Sequence, residues 1–308
     1  MIYSISPAVA QVLRGMALNR TPGWNFPGHF LALSFDEVAP HRAELSLDQG
    51  PHCEGERGGL ALAAACVLAD VAMAAALRHE AGFTRRMATV HMSLSFPGLP
   101  LRGRVYASST AQGQSAGTHA AQLFTQVALR AQDGIGCIGT GSFLALGTEG
   151  LARMPMHRRT DGPVPAPPLR AADLGAEERR VLQRAQEADD GRPGFLHRFW
   201  GLLPERADGS GAECALPAGL HVGNRVGHVQ GGILLALAAQ TCQAAAGPGW
   251  ALSQVSGWYL AAGLGDLRAI ATPLHSGSRT ACMRCETRDG NGRLLMHAVA
   301  TLARCASP

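Results

Sequence analysis

The chain has no lysine; its 27 basic residues are all arginine. That absence excludes a Schiff-base lysine, a pyridoxal-phosphate attachment point and a P-loop lysine. Aromatic residues are scarce at 5%, and charged residues make up only 16%. A net charge of +4 admits a phosphate-bearing ligand. No basic cluster is interleaved with aromatics, so nucleic acid is not among the expected partners. The eight cysteines are scattered through apolar stretches and form no spaced framework. That is the pattern of reduced core thiols in a cytoplasmic protein. The first residues, MIYSISPAVAQVLRG, lack a basic segment followed by a continuous apolar one, so no secretory leader is expected. Leu60 to Leu77 is apolar, but it is mostly alanine and carries Asp70 at its middle. A helix buried in protein fits it better than a membrane span, and no membrane partner is expected.

What is present points to two similar parts. A length of 308 residues with 46% hydrophobic content gives room for two cores. Residues 150–193 differ from the rest: a Pro-rich stretch, then a short charged helix expected around Gly175 to Glu187, then Asp-Gly-Arg-Pro-Gly. This is linker composition, and it separates residues 1–149 from residues 194–308. Each flanking part has a Gly-Gly pair ahead of an apolar run, Gly58-Gly59 before LALAAACVLADVAMAAAL and Gly231-Gly232 before ILLALAAQTCQAAA. A helix apolar on every face is enclosed by protein. Upstream, Ala43-Glu44-Leu45 and Ala212-Glu213-Cys214 sit in matching strand-like runs.

Downstream of each helix, four strands are expected. In the first part they are Ala88–Phe96, Arg104–Ser109, Ala120–Arg130 and Gly136–Leu146; in the second, Leu252–Leu260, Arg268–Pro273, Thr280–Thr287 and Leu294–Ala303. In the first of these, Val90, Met92, Leu94 and Phe96 alternate with Thr89, His91, Ser93 and Ser95, so the two sets are expected on opposite faces. A sheet in this order buries its helix by curling around it.

Several motifs compete for attention. Gly113-Gln114-Ser115-Ala116-Gly117 matches the nucleophile elbow of serine hydrolases, but a strand rather than a helix is expected after it. Gly134 to Gly139 spells G-x-G-x-x-G, again without a following helix. Cys282 and Cys285 form a solitary C-x-x-C within an alternating strand. His52, His91 and His228 have no second ligand at a fixed spacing, so no metal site is expected.

The order and repetition of these elements resemble the hotdog fold, in particular the branch containing phenylacetate-pathway acyl-CoA thioesterases. That branch has Asn-x-x-Gly-x-x-His-Gly-Gly, a buried helix with Leu-Ala-Asp, and a Thr-Val-x-x-x-x-x-Phe strand. Here the second part reads Asn224 to Gly232 with Gln230 in place of the usual His, and the first reads Gly58-Gly59, Leu68-Ala69-Asp70 and Thr89-Val90 to Phe96, with Arg57 where His is usual. The resemblance implies an α+β tandem double hotdog, with two antiparallel sheets each wrapped around a long buried helix. It implies an acyl-CoA or other acyl-thioester substrate and no cofactor. Homo-oligomerisation through sheet edges stays open.

Backbone N–H groups at a helix N-terminus suit a developing oxyanion, and a carboxylate can activate water or attack directly. Laying Gly-Gly on Gly-Gly places Asp70 opposite Gln243 and Val67 opposite Gln240. One working site is therefore expected, with Asp70 from the first part and Gly231, Gly232 and Asn224 from the second. Gln230 and His228 would line it. The reciprocal site, with Gly58 and Gly59 facing Gln240 and Gln243, would lack a base. One departure stands out: Asp70 follows Gly59 at a longer interval than the family pattern, and Cys66 occupies roughly the nearer position. Either the loop into the helix differs, or Asp70 sits deeper and Cys66 lines the pocket. A non-catalytic acyl-thioester binder or assembly protein, and a serine hydrolase using Ser115, remain the alternatives. Arg85, Arg86, Arg102 and Arg104 flank strand ends, where they either meet carrier phosphates or stay solvated.

Overall fold

The computed structural model describes residues 5–20, 25–116, 121–147, 153, 155–158, 169–207 and 210–305. The Pro-rich residues 159–168 and Gly117 lie outside them.

The chain opens with two helices, α1 (Pro7–Asn19) and α2 (Phe26–Phe30), which the sequence reading did not anticipate. Each begins as helix starts do, with a capping oxygen (Ser6 or Asn25) accepting a backbone N–H and a proline in the first turn. Strands β1 (Ser34–Ala39) and β2 (Arg42–Asp48) follow, then the apolar helix α3 (Leu62–Ala76) and the short α4 (Arg78–Ala81). Next come β3 (Arg86–Ser95), β4 (Arg104–Gln114), β5 (Gln122–Ala131) and β6 (Gly134–Leu146). Helices α5 (Ala176–Ala188) and α6 (Phe195–Trp200) lead to β7 (Arg206–Ala207) and β8 (Ala212–Leu216). The second apolar helix, α7 (Gly231–Ala246), precedes β9 (Trp250–Tyr259), β10 (Leu267–Ser276), β11 (Thr280–Asp289) and β12 (Leu294–Arg304).

These strands form one twelve-stranded antiparallel sheet, not the two expected. Its order is β1-β2-β4-β5-β6-β3-β9-β12-β11-β10-β8-β7. The join is β3 against β9, in register from His91 opposite Trp258 to Ser95 opposite Gln254. An unpaired strand edge leaves a row of backbone donors and acceptors without partners, and pairing the two edges removes that cost. At the seam Ser93 and Ser256 also share a hydroxyl hydrogen bond of 2.7 Å. Helix α3 packs on β1 to β6, α7 on β8 to β12, and the two helices pack on each other.

Helix α5 is the charged helix expected in the linker, but it is not simply solvated. Val181, Ala185 and Ala188 bury one face, and Glu178 takes a paired hydrogen bond from Arg20 beside the end of α1. Phe30 of α2 contacts the rings of Phe199 and Trp200 of α6, so an aromatic cluster ties the N-terminal helices to the segment that leads into the second part.

Two local features set the site. Gly232 lies directly on α3: a Cβ there would fall 2.5 Å from the Cys66 carbonyl oxygen and 2.6 Å from the Val67 Cα. Only glycine permits so close a backbone approach. The second feature is a β-bulge in β3, where Thr89 pairs with Phe143 but His91 pairs with Ser142, leaving Val90 extra. A one-residue slip exchanges the faces of a strand. Thr89 therefore turns inward toward α3, whereas strict alternation had placed it with His91, Ser93 and Ser95.

Candidate active site

The first helical residue of α7 follows Gln230, whose side chain caps the helix by accepting from the Ile233 N–H at 3.0 Å. With its oxygen held there, the Gln230 amide turns its nitrogen outward and donates to Asp70 Oδ2 at 2.6 Å. Thr89, brought in by the bulge, donates to Asp70 Oδ1 at 2.9 Å. The Gly232 N–H is a third donor to the same carboxylate. Asp70 comes from the middle of α3 and is buried at 7% exposure. Burial pushes its carboxyl up to about 6, outweighing the donors from Thr89, Gly232 and Gln230 that favour the charge.

Gly231 also packs against this carboxylate. A Cβ built on it would meet Thr89 Oγ1 at 2.9 Å and Asp70 Oδ2 at 3.0 Å. Tyr259, at the end of β9, donates its hydroxyl to the Gly231 carbonyl at 2.8 Å and so fixes this peptide. Burial and the neighbouring Asp70 charge raise the tyrosine pKa, keeping the phenol neutral.

A cavity of about 400 Å³ opens on Asp70. Val71, Ala74, Met87, Leu144 and Leu234 supply apolar wall, while Asn224, His228 and Gln230 supply polar groups. Arg78, Arg86 and Arg225 also line it. Burial, then the charge of Arg86, lowers the pKa of His228. Asn224 is committed to its own turn: its Oδ1 accepts from the N–H groups of Val226 at 3.0 Å and His228 at 3.1 Å.

The structure thus brings Asp70, Gly231, Gly232, Gln230, His228 and Asn224 to one place. It puts Cys66 elsewhere, fully buried in the core with its carbonyl under Gly232, and Cys66 lines neither cavity. Gly58, Gln240 and Gln243 line a second cavity of about 850 Å³ at the start of α3. There Gln240 meets the His197 ring at 3.1 Å, and burial brings the His197 pKa down to about 4. Gly59 does not reach this cavity; it packs below the Leu101 carbonyl.

The overlay of Gly-Gly on Gly-Gly needs correction. Gly58 and Gly59 have φ of 72° and 77° and sit in a turn closed by the Glu54–Leu60 bridge, before the helix begins. The matching bridge in the second part is Gly223–Val229, a spacing of 223 − 54 = 169 residues. The helix caps Ala61 and Gln230 keep it, since 230 − 61 = 169. Gly58 therefore corresponds to Gly227, which shares its positive φ of 80°, and Gly231 corresponds to Leu62. The counterpart of Asp70 is Ala239, not Gln243. The loop into α3 explains the long interval from Gly59 to Asp70.

Thr89 and Tyr259 were not singled out as site residues. No motif marks Tyr259, and the bulge that recruits Thr89 leaves no trace in the alternation. Ser115 lies between β4 and β5, where its hydroxyl accepts the Gln122 N–H at 2.9 Å; the next element among the described residues is the strand β5. Among the described residues no group of His, Cys, Asp and Glu could hold a metal ion, no cysteine is paired, and no helix is long and apolar enough to cross a membrane.

No family profile matches the sequence, and no curated protein does. Solved structures do match over most of the chain. A protein of Novosphingobium aromaticivorans, provisionally titled a thioesterase, superposes with a TM-score of 0.54 at 18% identity, covering 89% of this chain and 99% of its own. A hot dog fold protein of unknown function from Alicyclobacillus acidocaldarius gives 0.53 at 12% identity over 90% and 97%. The 12:0-ACP thioesterase of Umbellularia californica gives 0.53 at 10% identity over 85% and 93%. At such identities the likeness is one of fold. The chain has the hotdog fold.

Proposed function

We propose that this chain is a tandem double hotdog, with units 1–149 and 194–308 joined by 150–193, that hydrolyses acyl thioesters at one working site. The observation that carries the reading is Asp70: a buried carboxylate with a pKa brought to about 6, held against the N-terminal turn of α7. A base poised near neutrality suits proton abstraction from water. The thioester carbonyl would lie over the Gly231 N–H, where the helix dipole and a fixed backbone donor favour the oxyanion. Water adds to the carbonyl carbon and Asp70 takes its proton. The C–S bond then breaks, and the thiolate leaves with a proton. Direct attack by Asp70 would pass through an anhydride to the same products. Gln230, Thr89 and Gly232 orient the carboxylate in either case.

Hydrolysis of a panel of acyl-CoAs tests this. Wild type turns over, and Asp70→Asn loses about 100-fold or more in kcat, the usual scale of a general base. On α7 the position that corresponds to Asp70 is held by the buried Ala239, which favours binding without hydrolysis in the reciprocal half. Measurable acyl-CoA binding without turnover by wild type would overturn the hydrolase reading and leave a binder.

A further inference from the structure

We infer that the second cavity is a ligand site in its own right, taking an uncharged chain of secondary amides such as the pantetheine arm of a thioester carrier. The choice of ligand rests on the thioester reading above; the presence of a site does not.

The two cavities are related by the spacing of 169 residues: the loop into α3 lines the second as the loop into α7 lines the first. A cavity merely left over from duplication would lose polar groups or fill with side chains. This one has gained polar groups. Gln240 and Gln243 stand where the first cavity has Val71 and Ala74, since 240 − 71 = 169 and 243 − 74 = 169. Helices α2 and α6 begin at Phe26 and Phe195, again 169 apart, so His197 stands where the first part has Gly28. Two amides and an imidazole therefore face a volume of about 850 Å³.

Their hydrogen-bonding capacity is not used up within the protein. His197 is 7% exposed, and burial, followed by the charge of Arg198, brings its pKa down to about 4, so the ring is neutral near pH 7. Its Nδ1 and Nε2 lie 3.2 and 3.1 Å from the same atom, Gln240 Nε2. A neutral imidazole has one N–H and one lone pair, and an amide nitrogen only donates. The lone pair is met, and the ring N–H keeps no acceptor among the described residues. Gln240 Oε1 and both ends of the Gln243 amide also have no partner among them. Buried polar groups are otherwise nearly always paired, so these point to a bound molecule that completes them.

An apolar chain would bury the same groups unpaired. A charged ligand meets no net charge, because the ionisable lining residues besides neutral His197 are Glu56 and Arg57, one of each sign. A secondary amide returns the donor and the acceptor that a glutamine presents. Residues three apart on a helix stand about 5–6 Å apart at Cβ, so Gln240 and Gln243 can meet successive amides of one chain. Pantetheine carries two amides separated by two methylenes. Leu60, Leu202, Pro248 and Met283 supply apolar surface for those methylenes. With Ala239 in the place of Asp70, a thioester held there meets no base from α7.

Methionine methyl resonances test this, because Met283 lines the second cavity and Met87 the first. The full chain is labelled at its methionine methyls, the two signals are assigned with Met283→Leu and Met87→Leu, and pantetheine is titrated in. The Met283 signal shifts saturably. In Gln243→Leu its midpoint rises about tenfold, the scale of the two hydrogen bonds one amide makes, while the Met87 response stays within about twofold. Gln240→Leu, which also releases His197, raises the Met283 midpoint by at least as much, and stands in if Gln243→Leu fails to fold. A Met283 signal that does not respond, or a midpoint unchanged in both variants, overturns the proposal. So does octanoate shifting Met283 as well as pantetheine does, which would make the cavity an acyl pocket. Turnover is measured separately: a chain that binds pantetheine at Met283 but hydrolyses no acyl-CoA keeps this site and refutes the hydrolase reading.

Discussion

Replacing Thr89 with valine keeps a β-branched side chain in the bulge and removes one donor from Asp70. The bond is 2.9 Å long, and its acceptor is an ionisable carboxylate in a buried setting. A hydrogen bond to a charged group contributes about 1.5–3 kcal/mol. One pKa unit corresponds to about 1.4 kcal/mol, so its loss raises the Asp70 pKa by about 1–2 units. The starting point is about 6. The acid limb of kcat/KM therefore moves to about pH 7–8 in the variant. At pH 6 activity drops about tenfold, and by pH 9 most of the deficit is recovered. The assay is thioester hydrolysis followed by thiol release across pH 5 to 9. A uniform loss at every pH would mean that Thr89 acts only by packing, and a limb that stays in place or moves down would refute the assignment of Asp70 as the titrating base.

Three further outcomes are expected. Gly232→Ala puts a methyl group into the backbone of Cys66 and Val67, which cannot yield as a side chain could, so urea unfolding should show about 1–3 kcal/mol of destabilisation; a neutral result would show that α3 and α7 do not meet there. Asp70 raises its pKa on folding from 3.8 to about 6, a difference of about 2.2 units or about 3 kcal/mol. That contribution is complete below pH 3.8 and disappears as pH rises through 6, so wild type loses about 3 kcal/mol between pH 4 and 8 relative to Asp70→Asn; parallel stability curves would contradict the buried carboxylate. Ser115→Ala leaves thioester hydrolysis within about twofold, because the residue only closes a hairpin; an inactive variant would revive the serine-hydrolase alternative.

The architecture and the carboxylate were legible in the sequence because both rest on long patterns. Helices α3 and α7 announce themselves by unbroken apolar runs, and Asp70 by its isolation in one of them. The register between the two parts was legible only in part. Ala43 and Ala212, in matched strands, already carry the spacing 212 − 43 = 169, but the more conspicuous glycine pairs give 231 − 58 = 173 and misplace the counterpart of Asp70. Conspicuous glycines answer to local backbone needs: a positive φ at Gly58, a close helix contact at Gly232. The same residue type served two unrelated purposes. The single sheet was hidden for another reason. Nothing in the alternation of β3 or β9 distinguishes a strand with one neighbour from a strand with two, since both keep the same inward set. Thr89 was hidden by a bulge, which depends on pairing geometry rather than on composition.

The hydrogen bond from Gln230 to Asp70 joins residues 160 positions apart in one chain. Were the two halves separate subunits, every such contact would be subject to dissociation, and the site would empty of one partner on dilution. Within one chain the second half is always present at an effective concentration set by the connecting segment. Closing so long a loop adds little, since its entropic cost grows only with the logarithm of length. The assembled site is accordingly insensitive to protein concentration, and specific activity should be flat from nanomolar to micromolar enzyme. It also frees the two halves to diverge: a carboxylate need be kept on only one helix, and a glycine start on only the other.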